Sequence, residues 1–218
     1  MSKQRETPTP TPTPSGPSDI SQERPVDRVS DSNFDFDQFY FNYAKYHYNP
    51  NNKLIHLVFI PCLVFTLFAM LHHGPGLEIQ VLGNKIVADI SFLLPLIMLP
   101  IYLYVDVFTG FITTLVFIPA HLLSLYLYSQ DQQIFQGYHF KFMLAFHILS
   151  WITQIIGHAK FEKRAPALTD NVLLIFVAPF FFVFELLYRL GYKKDRIRGL
   201  NKLIAKEIDF YRKQNKIK

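Results

Sequence analysis

The chain has 218 residues, is 50% hydrophobic and carries a formal charge of +5. Its apolar residues come in blocks, which implies a polytopic membrane protein, an all-α helical bundle, rather than a soluble domain. A lone cysteine, Cys62, excludes an internal disulfide framework and a thiolate metal cluster. The basic residues gather in the C-terminal segment without the groove that nucleic-acid binding needs, so anionic lipid headgroups are the simpler partner.

Residues 1–33 include the repeat from Thr7 to Pro14 and then polar residues with scattered charge. Closely spaced prolines forbid a helix and nothing there can form a core, so a disordered tail is expected. It has neither the basic start nor the apolar stretch of a signal peptide. From Phe34 to Tyr48, aromatics interleave with Asp35, Asp37 and Lys45, a pattern suited to a short helix at a membrane surface. Pro50 disfavours helical backbone at Asn49, so this helix should end near His47, with Asn51 or Asn52 capping the next.

A first span is expected over 54–71, closed by His72-His73-Gly74-Pro75-Gly76, and residues 77–87 read as a turn-bearing link around Gly83-Asn84. The block from Ile90 to Tyr128 is about two spans long, and Asp106 is the expected break. Pro95, Pro100 and Pro119 should kink these helices. A polar loop at 130–133 precedes a fourth span over 138–157. The apolar segment 171–190, interrupted by Pro179, Glu185 and Arg189, reads as a re-entrant or interfacial hairpin in preference to a fifth span. Four crossings would leave the basic stretch 160–164 and the C-terminus on one, cytoplasmic, side. The organisation is therefore a tail (1–33), a membrane catalytic domain (34–192) and a basic cytoplasmic C-terminal segment (193–218).

Two segments carry the chemistry. One runs from Tyr46 to His56, the other from Trp151 to Leu168, and both set histidines where helices meet water. His158 and Glu162 lie on one helical face and can address one metal; the alternative is an interfacial histidine beside a salt-bridged glutamate. His47 and His56 lie nine residues apart, about 13.5 Å on a straight helix, but Asn49-Pro50-Asn51 should fold the chain back between them. Interfacial anchoring is the alternative for this pair. His147, Trp151, Gln154 and His158 form one stripe facing the bundle interior. On an unbroken helix, however, about 16 Å separates His147 from His158. Either the helix breaks near Gly157, or there are two metals, or His147 binds substrate. His72, His73, His121 and His139 read as structural or interfacial.

The pattern Tyr-His-x-Asn-Pro-x-Asn-x-x-Ile-His, followed by His-x3-Trp-x2-Gln-x2-Gly-His-x3-Glu-x-Arg-Ala-Pro-Ala-Leu, resembles the membrane 2-hydroxy-fatty-acid dioxygenases of fungi and bacteria. The resemblance covers residues 36–192. It implies an endoplasmic-reticulum membrane enzyme that uses Fe(II) and O2 to remove one carbon from a 2-hydroxy fatty acid, in breakdown of the phytosphingosine base. It also implies His47, His56, His147 and His158 as iron ligands. Around them, Glu162 and Gln154 take catalytic roles, and Asn49, Lys160, Arg164 and Trp151 bind substrate. Imidazole and carboxylate ligands with open positions suit iron that must bind O2 and a chelating 2-hydroxy acid together. A fixed arginine can hold the substrate carboxylate bidentately. The rivals are a dimetal hydroxylase, which needs histidine boxes that His72-His73 alone does not supply, and a non-enzymatic lipid-handling or scaffold protein. The latter calls for ionisable pairs at mid-span, and Asp106 and Glu185 are too few and too peripheral.

Overall fold

The computed structural model describes Val29 and residues 35–81, 84–166 and 174–216; the Thr-Pro repeat lies outside the described residues. Helix α1 (Phe36–Ala44) ends where the chain turns through Lys45 and Tyr46. Helix α2 (Pro50–Leu71) begins at least two residues earlier than the expected cap allowed. Asn49, not Asn51 or Asn52, caps it, accepting a bond from the Asn51 amide at 2.9 Å. The reason is Pro50: it has no amide to satisfy and its fixed φ suits the first helical position.

The link after α2 is an antiparallel hairpin, β1 (Gly76–Val81) and β2 (Asn84–Asp89), with Gly76 opposite Asp89. Asp89 then caps α3 (Ile90–Val105), accepting from the Ser91 amide at 2.8 Å. Asp106 makes the expected break. Its backbone is extended, and its carboxylate caps α4 (Val107–Ser129) through the Thr109 amide. Gly110 lets the two helices of this turn close up, since a Cβ there would meet the Tyr102 carbonyl carbon at 2.6 Å. A π-helical turn (Asp131–Phe135) leads to α5 (His139–Gly157), and a second π-helical turn (His158–Glu162) follows it directly. Helices α6 (Leu174–Arg189) and α7 (Lys194–Gln214) complete the described chain.

Among the described residues, three helical stretches, Pro50–Leu71, Val107–Ser129 and His139–Glu162, are long and apolar enough to cross a membrane. Helix α3, expected as a full span, has 16 residues. That is about 24 Å, short of a hydrocarbon core of about 30 Å, because aspartates fix both of its ends. Helices α6 and α7 meet at a bend of 115°, so this apolar segment does not run on as one straight span.

The core lies beside the site rather than around it. Phe36, Tyr40 and Phe41 of α1 pack on Phe180, Phe181 and Phe184 of α6. Helix α7 lays its apolar stripe, Ile197, Leu200, Ile204 and Ile208, on the same cluster. This spacing gives one face of a 3.6-residue repeat. Arg196 holds Asp37 at 2.6 Å, and Lys53 reaches Glu185 at 3.2 Å, tying α7 to α1 and the start of α2 to α6. The basic C-terminal segment is thereby packed onto the membrane domain.

Candidate metal centre

The fold-back at Asn49-Pro50 sets the end of α1 against the first turns of α2. His47 and His56 consequently meet edge to face, with ring centroids 4.5 Å apart. The end of α5 brings His158 to both, at 4.8 Å from each. All three are buried, and one ring nitrogen of each lies within 4.8 Å of the others. Nε2 of His158 is 3.2 Å from Nε2 of His56. Two nitrogens each about 2.1 Å from one ion, at 90–109°, lie about 3.0–3.4 Å apart. The pair thus has the spacing of two ligands on one cation.

The remaining nitrogens fix the rings. Nδ1–H of His47 donates to the Tyr43 carbonyl at 2.8 Å, and Nδ1–H of His56 donates to the Asn52 carbonyl at 3.0 Å. Each partner sits four residues back, so the same local device turns Nε2 of both rings toward the centre. Tyr43 also stacks on His47, with centroids 4.2 Å apart. Burial, with His56 and His158 close by, holds His47 well below its ordinary pKa, so the ring stays neutral and keeps its lone pair. Nδ1 of His158 is buried without a hydrogen-bond partner. A trio of neutral imidazoles is a donor set for a divalent transition metal, and the residues fit such an ion.

Gly157 makes the meeting possible. A Cβ on it would sit 2.6 Å from Asn52 Oδ1 and 3.2 Å from Ile55 Cδ1, so α5 touches α2 at this residue. Glu162 does not reach in as a ligand. Its Oε1 accepts from the Asn49 amide at 2.8 Å and from Asn52 Nδ2 at 3.2 Å. The carboxylate therefore sits on the N-terminus of α2, where the helix dipole favours negative charge, and pins the two histidine-bearing segments together.

His147 is not brought to the centre. Helix α5 is continuous to Gly157, so the separation of about 16 Å stands. Both of its nitrogens are also engaged: Nδ1 meets Thr66 Oγ1 at 2.7 Å and Nε2 accepts from Trp151 Nε1 at 3.1 Å. His147 thus stands apart from the three grouped histidines and lines the large cavity.

Trp151 and Gln154 line both the small pocket at the three histidines and a much larger apolar cavity of about 700 Å³. Gln154 is buried, and its Nε2 has no partner among the described residues. The other expected substrate contacts are placed elsewhere. Asn49 caps α2. Lys160 is exposed and sits over the Phe161 ring. The Arg164 guanidinium is sandwiched between Tyr46 and Tyr211, 3.9 and 4.4 Å from their centroids, and bonds the Tyr46 hydroxyl at 3.0 Å. These contacts join Arg164 to α7, and neither cavity counts it in its lining. Tyr43 went unnoticed in the sequence, and Asn52 was read only as a possible cap; the signal was their position four residues ahead of His47 and His56.

The model of the family described as 2-hydroxy-palmitic acid dioxygenase Mpo1-like matches residues 33–190. The 2-hydroxy-palmitic acid dioxygenase MPO1 of the yeast Saccharomyces cerevisiae is 34% identical over 151 residues, covering 69% of this chain and 78% of that protein. No solved structure matches.

Proposed function

The chain belongs to the Mpo1-like family of 2-hydroxy-palmitic acid dioxygenases, and from that premise we propose that it is an Fe(II)-dependent dioxygenase shortening 2-hydroxy fatty acids by one carbon. The observation that carries the reading is the convergence of His47, His56 and His158 in a small pocket that shares Trp151 and Gln154 with a large apolar cavity. His₃ donor sets also suit zinc; the dioxygenase chemistry named for the family favours iron.

Iron held by the three imidazoles would supply open positions for O2 and substrate and the one-electron chemistry that O2 requires. The protein's own residues do the rest. A 2-hydroxy acid carries carboxylate and hydroxyl on adjacent carbons, a pair that could chelate an ion held by the three histidines. Gln154 offers its unpartnered Nε2–H at the boundary between the two cavities, where it donates to the substrate carboxylate. Trp151, held by His147, walls the same boundary and orients the head. The acyl chain lies in the large cavity, whose volume falls within the range for small-molecule sites, and its apolar lining excludes water. Glu162 and Gly157 act on geometry alone, by holding α2 against α5.

With the family resemblance, this reading extends to the endoplasmic-reticulum membrane and to breakdown of the phytosphingosine base. The test is purified full chain, loaded with Fe(II) without oxygen and then exposed to air with 2-hydroxypalmitate. Mass spectrometry should find a product one carbon shorter, formed with O2 uptake and abolished by a ferrous chelator. An iron-loaded protein that leaves the acid unchanged would remove the reading.

A further inference from the structure

At the end of the large cavity away from the histidine centre, side chains from three helices meet. His121 of α4 meets Phe68 of α2 and Phe92 of α3 edge to face, with centroids 4.9 and 4.6 Å away. Phe68, Phe92 and His121 all line the cavity. The plug is held from behind. Nε2 of His121 bonds Ser91 Oγ at 2.8 Å, and Ser91 Oγ lies 3.2 Å from His72 Nδ1, which meets Asp89 Oδ2 at 2.7 Å. Ser91, His72 and Asp89 are themselves buried. This chain of bonds joins the end of α2, the cap of α3 and the middle of α4. A floor so braced does not yield to a longer ligand without breaking buried hydrogen bonds, each costing about 1–3 kcal/mol when left unpaired.

Its distance from the histidine centre has chemical meaning. Twelve residues of α2 separate His56 from Phe68, about 18 Å along the helix. An extended acyl chain advances ~1.3 Å per methylene, so this depth takes about fourteen carbons beyond the one bearing the hydroxyl; that count follows from the helix rise. We infer that the plug of His121, Phe68 and Phe92, braced by Ser91, is what limits the acyl-chain length, and the depth matches the palmitic length that the family's description carries. The inference rests on the proposed 2-hydroxy-acid reading and adds to it the residues that select among such acids.

The experiment separates binding from turnover. Full-length protein in detergent is loaded with a fluorescent conjugated fatty acid, which is displaced by 2-hydroxy acids running from lauric to lignoceric in length. The wild type should bind best near 2-hydroxypalmitate. His121→Ala, which removes the floor, should move the best length upward by about two to four carbons. Val64→Phe, which obstructs the cavity about 12 Å from His56 and leaves the hydrogen-bonded brace untouched, should move it down to about twelve carbons. An unchanged order of lengths in Val64→Phe and His121→Ala overturns the inference. Turnover of the same acids by mass spectrometry is read in parallel. Displacement that shifts with these substitutions, but without oxidation of any 2-hydroxy acid, sustains the length-selecting floor and refutes the dioxygenase reading.

Discussion

Nε2 of His56 and Nε2 of His158 stand 3.2 Å apart, although 102 residues separate them in the chain. Two lone pairs cannot sit at that distance in a buried site unless a proton or a cation lies between them. The site is built so that a cation is well served: His47 closes the third side, and carbonyls hold the rings of His47 and His56 from behind.

Gly157 is where the two halves of the site touch, and Gly157→Ala tests this. The new methyl group would meet Asn52 Oδ1 at 2.6 Å, forcing α2 and α5 apart. Overpacking of this kind costs about 1–3 kcal/mol. Thermal unfolding in detergent should fall and metal binding should weaken together. A variant as stable and as metal-competent as the wild type would show that the contact yields freely.

Glu162→Gln distinguishes a ligand from a residue that aligns the ligands. The amide keeps an acceptor for Asn49 and Asn52 but loses the charge at the α2 N-terminus. Metal should still bind, with affinity or activity lowered about 10–100-fold. Complete loss of metal, measured by titration, would put the carboxylate in the coordination sphere.

His147→Ala should leave the metal stoichiometry unchanged while stripping Thr66 and Trp151 of a partner. The expected cost is a loss of stability of about 1–3 kcal/mol and a raised KM for 2-hydroxy acids as Trp151 loosens. Loss of metal would contradict the geometry of a continuous α5.

These predictions mark what the sequence could and could not reveal. His47, His56 and His158 were legible because Asn49-Pro50 announces a reversal and Gly157-His158 ends a long apolar helix. Asp106 was legible as a break because a charge interrupts an apolar block too long for one crossing. The true state of His147 was not, because the hydroxyl that engages its Nδ1 belongs to Thr66, 81 residues away. Nor was the hairpin after α2, since two short strands carry a far weaker periodic signal than a span. The placement of Arg164 was hidden for a similar reason: its guanidinium lies over the Tyr211 ring on α7, a partner that no local spacing reveals.

Arg164→Gln tests that last point. If the guanidinium serves as a clamp between Tyr46 and Tyr211, the substitution lowers thermal stability and leaves KM for 2-hydroxypalmitate within about threefold, since cation–π contacts of this kind are worth about 0.5–2 kcal/mol to the fold. A KM raised more than about tenfold (about 1.4 kcal/mol) at unchanged stability would assign it to the substrate carboxylate instead.

The most direct test is the metal content of the purified full chain after anaerobic loading with Fe(II) and removal of unbound ion. The wild type should retain about one iron per chain, and His47→Ala, His56→Ala and His158→Ala should each lose most of it, because two imidazoles hold a divalent ion far more weakly than three. Wild-type protein that retains no iron, or three variants that retain as much as the wild type, would contradict the assignment of this histidine cluster as the metal centre.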